Sequence, residues 1–92
     1  IPYGEEITWE KLRMIEEGEE VLANIGILQG RVRHHGTIAR IEVLPTDMDQ
    51  VLSHKDVILA KFQEIGFRYI TLDLQGYRPG SMDEILPFHQ ET

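Results

Sequence analysis

Three arginines and a glutamate crowd the stretch Gly30-Arg31-Val32-Arg33-His34-His35-Gly36-Thr37-Ile38-Ala39-Arg40-Ile41-Glu42-Val43. A guanidinium is planar, permanently charged and carries its donors in a rigid fork, so neighbouring arginines are suited to gripping the oxygens of a phosphate. Spacing decides whether they can act together. The stretch predicts two short strands joined at a turn. If the strands pair around His35-Gly36, Val32 lies opposite Ala39 and Arg31 opposite Arg40. A pleat then gathers Val32, Ala39, Ile41 and Val43 on one side and Arg31, Arg33, Arg40 and Glu42 on the other. Like charges facing each other across a ladder repel. Two readings follow: an anion held between the guanidiniums, or a solvated face on which Glu42 balances them.

Other residue types offer less. His34 and His35 are neighbours on a strand, so they point to opposite faces and cannot readily share a metal. His54 and His89 lack a companion at ligand spacing. The glutamates at 16, 17, 19 and 20 could bind a cation if two converged, with a solvated helix face as the alternative. Ser53, Thr71 and Ser81 have no nearby pattern of histidine and carboxylate, so nucleophilic catalysis has no support and no catalytic residue is assigned. The Gly-x-x-x-x-Gly-Lys phosphate loop is missing.

The 92 residues make one domain at most, able to bury roughly 60–65% of its unfolded surface. A net charge of -7 argues against nucleic acid or an anionic membrane surface as partner. Apolar runs stay well short of a membrane span. With no cysteine, a disulfide framework, a thiolate zinc site and a cysteine nucleophile are excluded within these residues, which fits a reducing, cytoplasmic setting. The opening Ile1-Pro2-Tyr3-Gly4 is expected to continue a longer protein.

These residues need elements to position them. The first is a helix over 8–25, capped by Thr8, with Glu10 in its first turn and Gly26 as its stop. Its inward stripe is Leu12, Ile15, Leu22 and Ile25. The hairpin follows. A second helix opens at Pro45-Thr46-Asp47 with Thr46 or Asp47 as cap, buries Val51, Leu52, Ile58, Leu59, Phe62 and Ile65, and ends at Gly66. A third strand over 67–74 puts Ile70, Leu72 and Leu74 on one face. Pro79-Gly80 suits a type II turn, and Ser81 with Glu84 matches a capping box for a short helical turn before Pro87. The order α-β-β-α-β predicts an α+β fold, an α/β sandwich of a three-stranded sheet with two helices on one face. The other face and an edge stay bare, which predicts a partner surface.

The runs Ile1-Pro2-Tyr3-Gly4-Glu5-Glu6-Ile7-Thr8, Arg31-Val32-Arg33-His34-His35-Gly36, Ala39-Arg40-Ile41-Glu42-Val43, Gly66-Phe67-Arg68-Tyr69 and Asp73-Leu74-Gln75-Gly76-Tyr77-Arg78 together resemble the C-terminal region of the LarE family. These are ATP-dependent sacrificial sulfur transferases of the PP-loop ATP pyrophosphatase superfamily, which act in nickel-pincer nucleotide biosynthesis. The resemblance spans nearly the whole chain. It implies a single C-terminal domain over 1–92, preceded in the parent by a PP-loop domain that binds ATP and magnesium, with no cofactor in this part. It also implies a donor cysteine shortly before Ile1, so that these residues are inactive alone.

Within the resemblance, Arg31 and Arg33 match paired arginines that face the phosphate of a mononucleotide substrate. Glu42 matches an acidic position associated with the active site and metal binding. Glu19 or Glu20 matches a further acidic position. Arg40, Arg78 and Ser81 are candidates for supporting the site, whereas Asp83 stands where the family's Gly-Ser-x-Asn ending has asparagine. On these grounds the anion reading gains over the solvated face. The expected partners are the parent's own PP-loop domain, the mononucleotide and further copies of the chain. The same α-β-β-α-β order also resembles the dimerisation domain of GMP synthetases, and a free-standing small-molecule binding domain is the third reading.

Overall fold

The computed structural model describes residues 8–77. The short C-terminal helical turn, Arg78 and Ser81 lie outside the described residues, as does the Ile1-to-Ile7 run.

Helix α1 (Trp9–Asn24) begins where Thr8 accepts a hydrogen bond from the Lys11 amide at 3.1 Å. This satisfies a first-turn amide that has no partner within the helix. It ends in a Schellman pattern: Gly26 N donates to Ala23 O at 3.0 Å and Ile27 N to Leu22 O at 2.9 Å. Gly26 supplies the positive φ this requires. Leu22 and Ile27 are both buried, which adds the apolar contact that accompanies the motif.

Strands β1 (Arg31–His35) and β2 (Ile38–Glu42) form the expected antiparallel hairpin, but shifted by two residues. Val32 pairs with Ile41, Arg33 with Arg40 and Arg31 with Glu42. The turn explains the shift. Pairing around His35-Gly36 would place His35 at a turn position that favours positive φ, which costs a residue with a Cβ. Instead the two-residue connection is Gly36-Thr37, with positive φ at Gly36 alone, the pattern of a type II′ turn. Because the shift is even, every side chain keeps the face expected for it.

The second helix is two helices. A 3-10 turn (Pro45–Asp47) leads into α2 (Met48–Ser53), and α3 (Lys55–Ile65) follows after His54. Neither Thr46 nor Asp47 caps it with a side chain. The break has a local cause: Ser53 Oγ donates to Gln50 O at 3.0 Å, and the His54 amide donates to the same carbonyl at 3.2 Å. Side chains that compete for a helix carbonyl interrupt it. Helix α3 ends as α1 does, with Gly66 N on Gln63 O and Phe67 N on Phe62 O, and the two phenyl rings lie 5.9 Å apart. Strand β3 (Tyr69–Leu72) is shorter than expected and pairs parallel to β2, giving the order β1-β2-β3. Leu74 lies beyond it and is exposed.

The architecture is therefore α+β, with three helices on one face of a three-stranded mixed sheet. Val32, Ala39 and Ile41 from the sheet pack with Met14 and Leu22 of α1, Val51 of α2, and Ile58, Phe62 and Ile65 of α3. The inward stripe of α1 differs from expectation: Met14 and Gly18 are buried, while Leu12 is exposed. In the second helical segment Leu52 likewise faces out. No helix among the described residues is long and apolar enough to cross a membrane.

Candidate functional site

The sheet face away from the helices carries the charges. The register sets it out in rows across the strands: His35, Ile38 and Tyr69, then Arg33, Arg40 and Thr71, then Arg31 and Glu42. Asp73 follows Leu72 and continues the ladder, its amide donating to Ile41 O at 2.9 Å.

Glu42 is the hub. Arg33 Nε donates to its Oε1 at 3.1 Å, while Arg40 reaches its Oε2 through Nη2 at 2.8 Å and Nε at 3.1 Å. The Glu42 side chain is 11% exposed, against 37% for Arg33 and 42% for Arg40, so the guanidiniums cover the carboxylate and present their outer edges to solvent. Arg40 Nε also lies 3.7 Å from Asp73 Oδ2. This answers the repulsion of two arginines set directly opposite each other: one carboxylate on the diagonal serves both.

Arg31 stands apart. Although it pairs with Glu42 in the ladder, it has no carboxylate partner among the described residues. Its guanidinium carbon lies 4.7 Å from the centre of the Tyr77 ring, Nη2 donates to Tyr77 Oη at 3.4 Å, and Nη1 donates to Gly30 O at 3.0 Å. Among the described residues three guanidiniums thus meet two carboxylates on this face, a local surplus of positive charge in a chain of net charge -7.

Of the two acidic candidates on α1, Glu19 turns to the hairpin: its Oε2 accepts from the Val32 amide at 3.0 Å. That amide lies between Arg31 and Arg33 and points away from β2, so Glu19 covers part of the open edge of β1. Glu20 lies instead in a cleft of about 340 Å³ with Glu17, Lys61 and Glu64. Among the described residues no group of three or more His, Asp or Glu comes together as a metal site. At Glu42, the expected metal position, each carboxylate oxygen accepts from a guanidinium.

His34 is buried on the helix side with its ring 5.5 Å from Phe67, and His35 lies on the other face, as strand alternation requires. Sequence reasoning missed Asp73 and Tyr77. Asp73 has the parity of Tyr69 and Thr71, which would have placed it beside Arg40. Tyr77 lies 46 positions from Arg31 with no periodic pattern to connect them.

No family model matches the chain. It is 44% identical over 89 residues to an uncharacterised protein of Synechocystis, covering 92% of this chain and 32% of that protein. It is 38% identical over 85 residues to the pyridinium-3,5-bisthiocarboxylic acid mononucleotide synthase of Lactiplantibacillus plantarum, covering 92% of this chain and 31% of the synthase. An uncharacterised protein of Methanocaldococcus jannaschii is 36% identical over 76 residues, covering 83% of this chain and 30% of that protein. The chain spans about a third of the length of the curated relatives it matches. It is related to a region of that synthase.

Proposed function

We propose that this chain is the substrate-binding domain of a LarE-like, ATP-dependent sulfur transferase of nickel-pincer nucleotide biosynthesis, and that its open sheet face holds the phosphate of the mononucleotide substrate. The observation that carries the reading is the arrangement of guanidiniums: Arg33 and Arg40 share Glu42, while Arg31 has no carboxylate among the described residues. The similarity to a synthase whose name specifies a mononucleotide product supports it.

The roles follow from the chemistry. Arg31 and Arg33 bind and orient the phosphate, with Arg33 fixed through Nε so that its terminal nitrogens remain as donors. Holding the phosphate places the reacting carboxyl of the substrate and offsets developing negative charge. Arg40 and Glu42 keep the array in register and take no part in proton transfer. In this reading ATP, magnesium and the sulfur donor belong to a preceding PP-loop domain, which is the domain's first partner, and the chain alone turns nothing over. In the same reading Arg78 and Ser81, like Arg40, support the site.

The test is a titration of the chain with nicotinate mononucleotide and with pyrophosphate, followed by amide NMR. Shifts confined to β1, β2 and the stretch 77–81 are expected. Arg31→Ala and Arg33→Ala should each weaken binding by about 1.5–3 kcal/mol, the scale of hydrogen bonds to charged groups. Unchanged affinity in both variants, or no binding by the wild type, would overturn the assignment.

A second role, association of copies, is favoured by the exposed edge of β3. Among the described residues β3 pairs only with β2, and beside it lies a groove of about 190 Å³ lined by residues including Leu52, Ile58, Ile70 and Leu72. An open strand edge next to apolar side chains is a template for pairing. Light scattering tests this directly: a monomer across the micromolar range would remove the role.

A further inference from the structure

We propose that Tyr77 is a positioning residue that keeps Arg31 turned away from Glu42 and ready for a phosphate. This rests on the phosphate-binding reading above and deepens it. Ladder geometry alone would send Arg31 to Glu42, its partner across the strands. A third guanidinium on that carboxylate would compete with Arg33 and Arg40 for its two oxygens and would use up the donors a ligand needs. Arg31 instead lies against the Tyr77 ring, 4.7 Å from its centre. The hydroxyl contact is long at 3.4 Å, so of the two Tyr77 contacts the ring supplies the larger share, beside the bond from Nη1 to Gly30 O at 3.0 Å. Attraction to a ring occupies the face of a guanidinium; with one Nη1–H on Gly30 O and one Nη2–H on Tyr77 Oη, the Nε–H and the two other in-plane N–H groups can meet phosphate oxygens.

The backbone is built to bring that ring into place. Tyr77 N donates to Val43 O at 2.7 Å, just past the end of β2. The preceding Gly76 has a φ of +81°, and a Cβ there would fall 2.6 Å from Val43 O and 3.1 Å from Met48 Cε. Only glycine lets the chain cross the strand end this closely. Tyr77 thus completes, from the segment after β3, a site whose charges come from β1 and β2.

The experiment compares the chain with Tyr77→Leu and Tyr77→Phe, using nicotinate mononucleotide as the probe and the arginine Nε–H signals as a second readout. In the wild type the Arg31 Nε–H should carry a ring-current shift, retained in Tyr77→Phe and lost in Tyr77→Leu. Tyr77→Leu should weaken mononucleotide binding about three- to tenfold, the scale of a cation–π contact, with Tyr77→Phe within about twofold of wild type. Wild-type affinity in Tyr77→Leu, or no ring-current shift at Arg31 in the wild type, would overturn the inference; the second needs no variant to fold. Loss of binding in Arg31→Ala with none in Tyr77→Leu would sink this inference and leave the phosphate site standing. Failure of the wild type to bind would sink both.

Discussion

Arg33 and Arg40 face each other across β1 and β2, and both are held by the single carboxylate of Glu42. Such a pair is stable only while its bridge is charged. Glu42→Gln keeps the shape, removes the charge and leaves two cations opposed on a half-covered face. We expect a loss of about 1–3 kcal/mol of folding stability, on the scale of hydrogen bonds to charged groups. Added salt should narrow the gap, because the exposed arginines are then screened from each other. Arg40→Ala in the Glu42→Gln background should cost less than it does alone. Urea denaturation of the four proteins measures this, and additive losses would mean the three side chains do not act as a unit.

Gly18 carries the second prediction. Replacing a mid-helix glycine with alanine ordinarily stabilises by about 0.5–1 kcal/mol. Here α1 crosses the sheet so closely that a Cβ would lie 3.1 Å from both Phe62 Cε2 and Val32 Cγ2. Those side chains are 0% and 1% exposed, so neither has room to retreat. Overpacking should win, and Gly18→Ala should destabilise by about 1–2 kcal/mol. A raised melting temperature would show that the core gives way more easily than its packing implies.

Helix ends were legible because glycine is a local signal: Gly26 and Gly66 each stop a helix where the chain needs positive φ. The faces of the hairpin were legible because strand alternation survives an even shift in register. The register itself was not, since it depends on whether His35 or Gly36 takes the left-handed conformation at the turn. Gly18 marks a close approach of α1 to the sheet, for which hydrophobic periodicity has no signature. At the site, the Arg40–Glu42 pairing could be read from neighbours on one strand. The Arg31–Tyr77 contact could not, because it joins distant segments through a turn after β3.

On the exposed side of α1, Arg13 donates to Glu10 and Glu17 and reaches Ile65 O at the end of α3 at 3.3 Å. The hydrogen bond from Arg13 holds the Glu10 carboxyl below the usual glutamate range. A depressed acid favours the folded state at pH above its unfolded value, and that contribution disappears as pH falls through the folded value. Carboxyl NMR should therefore find Glu10 titrating below the usual glutamate range, and Arg13→Ala should return it toward that range. Because the group is fully exposed, the same substitution should move the acid limb of the stability curve only slightly, and less still in high salt.

Glu19 links the helix layer to the arginines. Its carboxylate accepts from the Val32 amide at 3.0 Å, on the strand that bears Arg31 and Arg33 one position to either side. An edge amide left to itself would exchange with solvent and allow the strand to fray. Glu19→Ala should cost about 1 kcal/mol of stability and speed hydrogen exchange at Val32, whereas Glu19→Gln retains an acceptor oxygen and should preserve most of the protection. Under the phosphate-binding reading, Glu19→Ala should also weaken mononucleotide binding, because both guanidiniums are carried on the loosened strand. Rapid exchange at Val32 in the wild type would show that this carboxylate does not hold the edge in solution.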